Sequence, residues 1–218
     1  RESDSVTAYD YDLFVIGSGP AGQRAAIQAA KIDKRVAIAE RKTVVGGACI
    51  NTGTIPSKTL REAVLHLSGY RQRGIYGASY TVKQDIAIAD LLFRTDHVIR
   101  HELDVIQHQL MRNGVELINA EASFVDPHTL RLRSVADSAE RQVTADKIVI
   151  ATGTSATRDP NIAFAGRWIL ASDDILNLDE IPRTLAVVGA GVIGCEYASI
   201  FAAVGVRVTL IDKRDRLL

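Results

Sequence analysis

Six glycines fall into two sets of matching spacing, Gly17-Ser18-Gly19-Pro20-Ala21-Gly22 and Gly189-Ala190-Gly191-Val192-Ile193-Gly194. Each set follows a short apolar run and leads into a helical stretch, a second apolar run and an acid, which is Glu40 in the first case and Asp212 in the second. That order is what holding a dinucleotide requires. The first glycine permits a tight turn, the second lets the backbone approach a pyrophosphate, and the third lets helix and strand pack closely. Phosphate would rest on the helix N-terminus, beside Pro20 and Ala21 or Val192 and Ile193, where free amides and the helix dipole favour anions. The terminal acid would accept hydroxyl hydrogen bonds from an adenosine ribose. Glu40 follows Gly17 by the interval that separates Asp212 from Gly189, so two nucleotide sites of one general kind are implied.

Cations follow the second acid at once. Asp212 alone favours NAD, since a carboxylate there accepts from the ribose and repels a 2′-phosphate. Lys213, Arg214 and Arg216 could hold that phosphate, arginine through a bidentate fork. The cluster therefore fits both NAD and NADP, and a solvated charged turn is the alternative.

The chain has two cysteines, Cys49 and Cys195, and their separation matches neither a secreted disulfide framework nor a zinc-ligand pattern. A reducing cytoplasm is the simplest setting. Cys195, within the second helical stretch, reads as a small buried residue. His97, His101 and His108 fall near one helix face, and the first two have an i, i+4 spacing that can bind metal. No carboxylate or cysteine completes a known ligand pattern, so a solvated face accounts for them and no metal is expected.

The elements that must position these residues follow from periodicity. Strands are expected at Tyr11 to Ile16 and Val36 to Ala39, with a helix from Gln23 to Lys31 between them. Pro56 and Ser57 suggest a helix start, continued by Lys58 to Ser68. Asp85 to Asn113 carries a long amphipathic stripe that Gly114 stops. Val115 to Ile118, Ala122 to Val125, Thr129 to Arg133, Gln142 to Thr144 and Lys147 to Ile150 read as short strands with turns between them. Thr154 to Pro160 reads as a linker, and the second nucleotide unit comprises strand Leu185 to Val188, helix Glu196 to Val204 and strand Val206 to Ile211. The expected domains are 9–157 and 158–218, after a disordered leader at 1–8 that is too polar for a signal peptide.

Across its 218 residues the 26 basic and 26 acidic side chains balance, which argues against nucleic acid or an anionic membrane surface as the main partner. No apolar run approaches the ~20 residues needed to cross a bilayer.

The stretch Gly46-Gly47-Ala48-Cys49-Ile50-Asn51-Thr52-Gly53-Thr54-Ile55-Pro56-Ser57-Lys58 resembles the redox segment of the two-dinucleotide flavoprotein disulfide reductases, such as lipoamide dehydrogenase, glutathione reductase and mercuric reductase. In that family two cysteines separated by four residues form a disulfide beside the flavin. Cys49 holds the first position here, but Thr54 holds the second, and a hydroxyl cannot act as a thiolate relay. The wording Thr52 to Ala63 looks like one branch of the family, the soluble pyridine nucleotide transhydrogenases, which pass hydride between NADPH and NAD through FAD without a disulfide. Ile148-Val149-Ile150-Ala151-Thr152-Gly153 is similar to the family's second flavin-domain signature.

The resemblance implies an α/β fold: an FAD-binding Rossmann-type domain with a parallel sheet and an antiparallel meander, then the start of an NAD(P)-binding one. It assigns Gly17, Gly19, Pro20, Ala21, Gly22, Glu40, Arg41, Gly47, Cys49, Lys58, Ala122, Thr152 and Gly153 to FAD. Gly189, Gly191, Val192, Ile193, Gly194, Asp212, Lys213 and Arg214 go to the nicotinamide nucleotide. It pairs Lys58 with Glu196 beside the flavin, whereas ordinary first-turn helix charges are the bland reading of both. It further implies a homodimeric or larger cytoplasmic parent with nicotinamide nucleotides as substrates, of which the chain ending at Leu218 is an N-terminal fragment. Two rivals remain: a lipoamide- or glutathione-type disulfide reductase, against which Thr54 speaks, and a non-catalytic FAD-binding redox sensor using Cys49 as a lone thiol.

Overall fold

A computed structural model describes residues 9–164 and 168–215, so the expected leader at 1–8 and Arg216 lie outside the described residues. The strands are β1 (Tyr11–Ile16), β2 (Val36–Ala39), β3 (Glu116–Ile118), β4 (Ala120–Phe124), β5 (Thr129–Ser134), β6 (Glu140–Ile150), β7 (Thr184–Val188) and β8 (Arg207–Ile211). The helices are α1 (Pro20–Ala30), α2 (Gly47–Asn51), α3 (Thr54–Leu67), α4 (Arg73–Tyr76), α5 (Ile88–Arg112) and α6 (Val192–Ala203), with 3-10 turns at Tyr70–Gln72 and Ser172–Asn177. The chain divides into two compact units, one built from the residues up to Cys49 with His101–Thr154, the other from Ile50–Arg100 with the described residues after Thr154.

In the first unit one sheet runs β3-β2-β1-β6-β5-β4. β3, β2, β1 and β6 are mutually parallel, while β6, β5 and β4 form an antiparallel meander. β6 serves both halves: Glu140 to Thr144 pairs with β5, and Ala145 to Ile150 pairs with β1. The two strands expected at Gln142 to Thr144 and Lys147 to Ile150 are therefore one. A partner change at Ala145 leaves no turn in the backbone for the residue pattern to betray. Phe14, Ala37, Ala39, Leu130, Leu132, Val143 and Ala145 form the core.

The second unit holds the parallel pair β7 and β8 joined through α6, a βαβ arrangement of the Rossmann type. Its core gathers Leu60 and Val64 of α3, Leu91 of α5, and Tyr197, Ile200 and Phe201 of α6.

Element ends differ from expectation for local reasons. α3 starts at Thr54, ahead of Pro56, because first-turn amides have no intrahelical acceptor and a proline there forfeits nothing. α5 starts after Asp85, whose φ of 49° is left-handed, and Asp90 reaches back to accept the Ala87 N–H at 2.8 Å. It ends as expected at Gly114, with φ 68° and its N–H donated to the Met111 carbonyl at 3.0 Å.

Candidate functional site

The first fingerprint turn joins β1 to α1. Gly17 donates its N–H to the Ala39 carbonyl at 2.8 Å, which ties the turn to the end of β2. Glu40 follows, and it is buried. Its Oε2 accepts the Ser18 N–H at 3.0 Å and the Ser18 hydroxyl at 2.6 Å, while Oε1 accepts the Lys42 N–H at 2.9 Å. Burial pushes this carboxyl up, but the Ser18 and Lys42 hydrogen bonds outweigh it and hold the group below its ordinary range. A carboxylate with about four lone-pair sites keeps acceptor capacity for a ribose after these three bonds.

The second turn repeats the scheme. Gly189 donates to the Ile211 carbonyl at 2.8 Å, and Ala190 donates to Asp212 Oδ2 at 2.6 Å. Ala190 has no hydroxyl, and among the described residues the remaining partner of Asp212 is Arg214. The Arg214 backbone N–H donates to Oδ1 at 2.8 Å, Nε to Oδ1 at 2.9 Å and Nη2 to Oδ2 at 3.2 Å. The Arg214 fork, its backbone amide and that of Ala190 together hold the Asp212 carboxyl far below the usual range. Asp212, Lys213 and Arg214 line an open groove of about 810 Å³ with Val188, Gly189, Gly191 and Ile211.

The six glycines divide by cause. Gly17 and Gly189, at φ 103° and 105°, need a backbone that side-chain-bearing residues rarely adopt. At Gly22 and Gly194 a Cβ would collide with the carbonyl oxygen of Gly17 and Gly189 respectively. Gly19 and Gly191 have ordinary extended conformations, φ −67° and −76°. Beyond the adjoining residues of the chain, no atom of the described residues lies within 4 Å of where a Cβ on Gly191 would stand, and at Gly19 the nearest is the Gly47 Cα at 4.0 Å. Protein packing therefore does not require glycine at this pair. Open space above a helix N-terminus is room for a phosphate to meet the backbone.

In the second unit α3 and α6 bring Lys58 and Glu196 together, Nζ to Oε1 at 3.5 Å. Ser57, buried on α3, donates its hydroxyl to Glu196 Oε2 at 3.1 Å. The Glu196 side chain is 19% exposed and that of Lys58 68%, so the acid is fixed and the cation reaches outward. Thr54 is the exposed first residue of α3, and Cys49 lies half-buried in α2. Both cysteines are free thiols. Cys195 is half-buried rather than buried, its thiol donating to the Ala190 carbonyl at 3.4 Å.

Of the remaining expected residues of the first site, Pro20, Ala21, Gly47, Thr152 and Gly153 stand at or beside its turn. Pro20 and Ala21 are exposed at the start of α1, and Ala151 donates its N–H to Ile16 at 2.8 Å, so that the exposed Thr152 and Gly153 emerge beside Gly17. A Cβ on Gly47 would stand 2.9 Å from the Gly19 Cα, and Gly46 donates its N–H to the Ser18 carbonyl at 3.1 Å. Arg41 is exposed in the turn after Glu40, and Ala122 sits at the centre of β4 opposite Leu132. In the second unit Val192 and Ile193 are exposed at the start of α6. His97, His101 and His108 are all exposed on α5.

Sequence reasoning missed four supporting residues. Ser18 holds Glu40 and Ser57 holds Glu196, and each serine sits beside a motif residue, which is the signal that could have found them. Gln23 donates Nε2 to the Ser18 carbonyl at 2.6 Å. Asn119 donates Nδ2 to the carbonyls of Glu40 and Lys42 at 2.8 and 2.6 Å, pinning the loop after β2. Nothing in the pattern around Asn119 marks that long-range contact.

Comparison with known proteins adds an independent line. A family model described as pyridine nucleotide-disulphide oxidoreductase matches residues 11–218. The soluble pyridine nucleotide transhydrogenase of Mycobacterium tuberculosis (strain ATCC 25177 / H37Ra) is 56% identical over 209 residues, covering 96% of this chain and 45% of the relative. That of Erwinia tasmaniensis is 43% identical over 211 residues, covering 97% and 45%. Among solved structures, the HOCl-induced flavoprotein disulfide reductase RclA from Escherichia coli superposes with a TM-score of 0.77 at 30% identity, covering 95% of this chain and 43% of that one. Its Cu(II) complex gives 0.80 at 29%, with the same coverage. The chain thus spans a little under half the length of the relatives it matches.

Proposed function

The chain belongs to the pyridine nucleotide-disulphide oxidoreductase family, and from that premise we propose that it forms part of an FAD-dependent transhydrogenase moving hydride reversibly between NADPH and NAD. The first fingerprint would hold FAD, with Gly19 leaving room for its pyrophosphate and Glu40 accepting from its ribose. A nicotinamide nucleotide occupies the second, over Gly191 and beside Asp212. The open, unstrained positions of Gly19 and Gly191 fit both groups, since neither glycine answers to a protein neighbour. When bound, FAD would supply the hydride relay at its N5, chemistry that no side chain of this chain can perform.

The observation that carries the reading is the Lys58–Glu196 ion pair at 3.5 Å. A lysine of the redox-type segment and a glutamate of α6, the helix that the second fingerprint opens, meet as one charged unit, buttressed by Ser57. The family resemblance gives Lys58 the role of a cation that would answer negative charge developing on the flavin, and Glu196 orients that ammonium. Thr54 stands where a disulfide reductase needs its second thiol, so the hydride passes between nucleotides rather than to a dithiol. The working domains run from 9 to 157 and from 158 to 218, and the whole protein is a cytoplasmic homodimer or larger homo-oligomer.

The test uses the polypeptide encoded by the full gene that carries this sequence, purified with its flavin. NADPH is supplied with a thionicotinamide analogue of NAD, with lipoamide, or with oxidised glutathione. Turnover with the analogue alone is the expected result. Reduction of lipoamide or glutathione, or a bound flavin that NADPH does not bleach, would overturn the reading.

A further inference from the structure

The two fingerprint acids are held by the same backbone donors but by different side chains. Glu40 and Asp212 each accept the amide of the residue after the first glycine, and each accepts an amide two residues downstream. At Glu40 the side-chain partner is the Ser18 hydroxyl, neutral and fully buried. At Asp212 it is the Arg214 guanidinium, a cation 46% exposed at the rim of the groove. A buried hydroxyl is held against its acid, whereas an exposed side chain on a flexible stem can turn away into solvent or to another anion. The first site is built to keep one ribose and the second to exchange partners.

We propose that Asp212 and Arg214 form an internal competitor that sets how the second site discriminates nucleotides with and without a 2′-phosphate. The inference rests on the reading of that groove as the nicotinamide nucleotide site. A 2′-hydroxyl leaves most of the pair intact, because it needs one acceptor position and can take that of the longer Nη2 bond at 3.2 Å, while the Arg214 Nε bond and both amide bonds to Asp212 stay. A 2′-phosphate takes the fork for itself, since phosphate and carboxylate offer arginine the same bidentate geometry. Asp212 then retains the amides of Ala190 and Arg214, so it is not abandoned without partners. The phosphate's gain is reduced by what it must displace, and that offset lets one site accept both nucleotides without a strong preference for either. Arg214 is thus both ligand and counter-ion, and Asp212 tunes phosphate affinity through Arg214 rather than by repulsion alone.

The experiment measures equilibrium binding of adenosine 2′,5′-bisphosphate and of 5′-AMP to the protein saturated with FAD, so that the first site is filled. Wild type, Asp212→Asn, Arg214→Ala and the double variant are compared. Asp212→Asn is expected to tighten the bisphosphate about tenfold, and Arg214→Ala to weaken it about tenfold, both typical of one charged hydrogen-bond partnership. In the Arg214→Ala background, Asp212→Asn should gain at most about twofold, because the competition has gone. An equal gain in both backgrounds would mean simple repulsion by Asp212 and would overturn the proposal. A second readout needs no variant: the Arg214 Nε–H resonance of the wild type should move with the bisphosphate and stay with 5′-AMP. Identical responses to both ligands would also overturn it. Failure of either ligand to bind the wild type would instead remove the nucleotide reading of the groove, and this proposal with it.

Discussion

Lys58 Nζ stands 3.5 Å from Glu196 Oε1 although 138 positions separate the two residues, and Ser57 holds the same carboxylate from the next position on α3. An ion pair with so exposed a lysine contributes under about 1 kcal/mol to stability, so structural economy alone does not account for it. Lys58→Met and Glu196→Gln should each slow flavin reduction by NADPH in rapid-mixing experiments while leaving thermal stability nearly unchanged. The double variant should lose less than the sum of the two, as members of one unit do. Strictly additive losses would separate the roles.

Gly19 and Gly22 should respond to alanine in opposite ways. Alanine at Gly22, inside α1, gains up to about 1 kcal/mol of helix propensity. The added Cβ meets the backbone oxygen of Gly17, which cannot swing aside, and overpacking of that kind costs roughly 1 to 3 kcal/mol or more. The clash wins, and Gly22→Ala lowers the unfolding midpoint. Gly19→Ala meets no protein atom closer than 4.0 Å and should cost less than about 1 kcal/mol as a cap change. Its loss should appear in FAD affinity instead. Urea unfolding together with flavin titration separates the two, and a Gly19→Ala protein that unfolds early but binds FAD normally would refute the division.

Ser18→Ala removes one of three donors to a buried carboxylate, at a cost of about 1 to 3 kcal/mol. The pH dependence has a definite sign. Glu40 is held below its ordinary value of 4.5, so its contribution is fully present above that value and is lost as pH falls through the lower folded-state value. Without the Ser18 hydroxyl the folded-state value moves up toward 4.5, and less stability remains to be lost on acidification. Denaturation midpoints at pH 7 and below pH 4 should therefore lie closer together in Ser18→Ala than in wild type. A gap of unchanged size would show that the two amides alone hold the acid.

The parts legible in the sequence are those in which one local rule decides the outcome. Gly17 to Glu40 and Gly189 to Asp212 each read as strand, turn, helix, strand and acid because glycine spacing and apolar runs act over a few residues. The ends of α5 are of the same kind at Gly114, but not at its start, where the apolar stripe begins at Ile86 while a left-handed Asp85 and the loop after it delay the helix to Ile88. β6 reads as two strands in the sequence because its division is one of partners, not of backbone. Among the site residues, the pairing of Lys58 with Glu196 was available only through family resemblance. No rule of spacing joins residues on two helices so far apart in sequence. The capture of Arg214 by Asp212 was likewise hidden, since an acid and a base two positions apart can face the same ligand or each other. Only side-chain geometry decides between those arrangements.

Among the described residues, one buried polar atom in the second unit's core has no partner, the Tyr197 hydroxyl. Tyr197 is 5% exposed on α6 and packs with Leu60, Val64 and Phe201. Burial, with Glu196 and Asp173 nearby, pushes its phenol up to about 12, so it stays neutral and keeps its proton throughout the physiological range. A neutral hydroxyl removed from water without a new partner is a net cost, of the order of 1 to 3 kcal/mol. The aromatic ring contributes burial that phenylalanine would reproduce in full. Tyr197→Phe should accordingly raise stability by about 1 kcal/mol, the smaller end of that range allowing for relaxation around the hydroxyl. Chemical denaturation of the flavin-free protein measures this directly, with Tyr197→Leu as a control that loses ring packing and should be destabilised. If Tyr197→Phe lowers the midpoint, the hydroxyl has a partner in solution, and a bound water between Tyr197 and a neighbouring polar group becomes the first thing to look for.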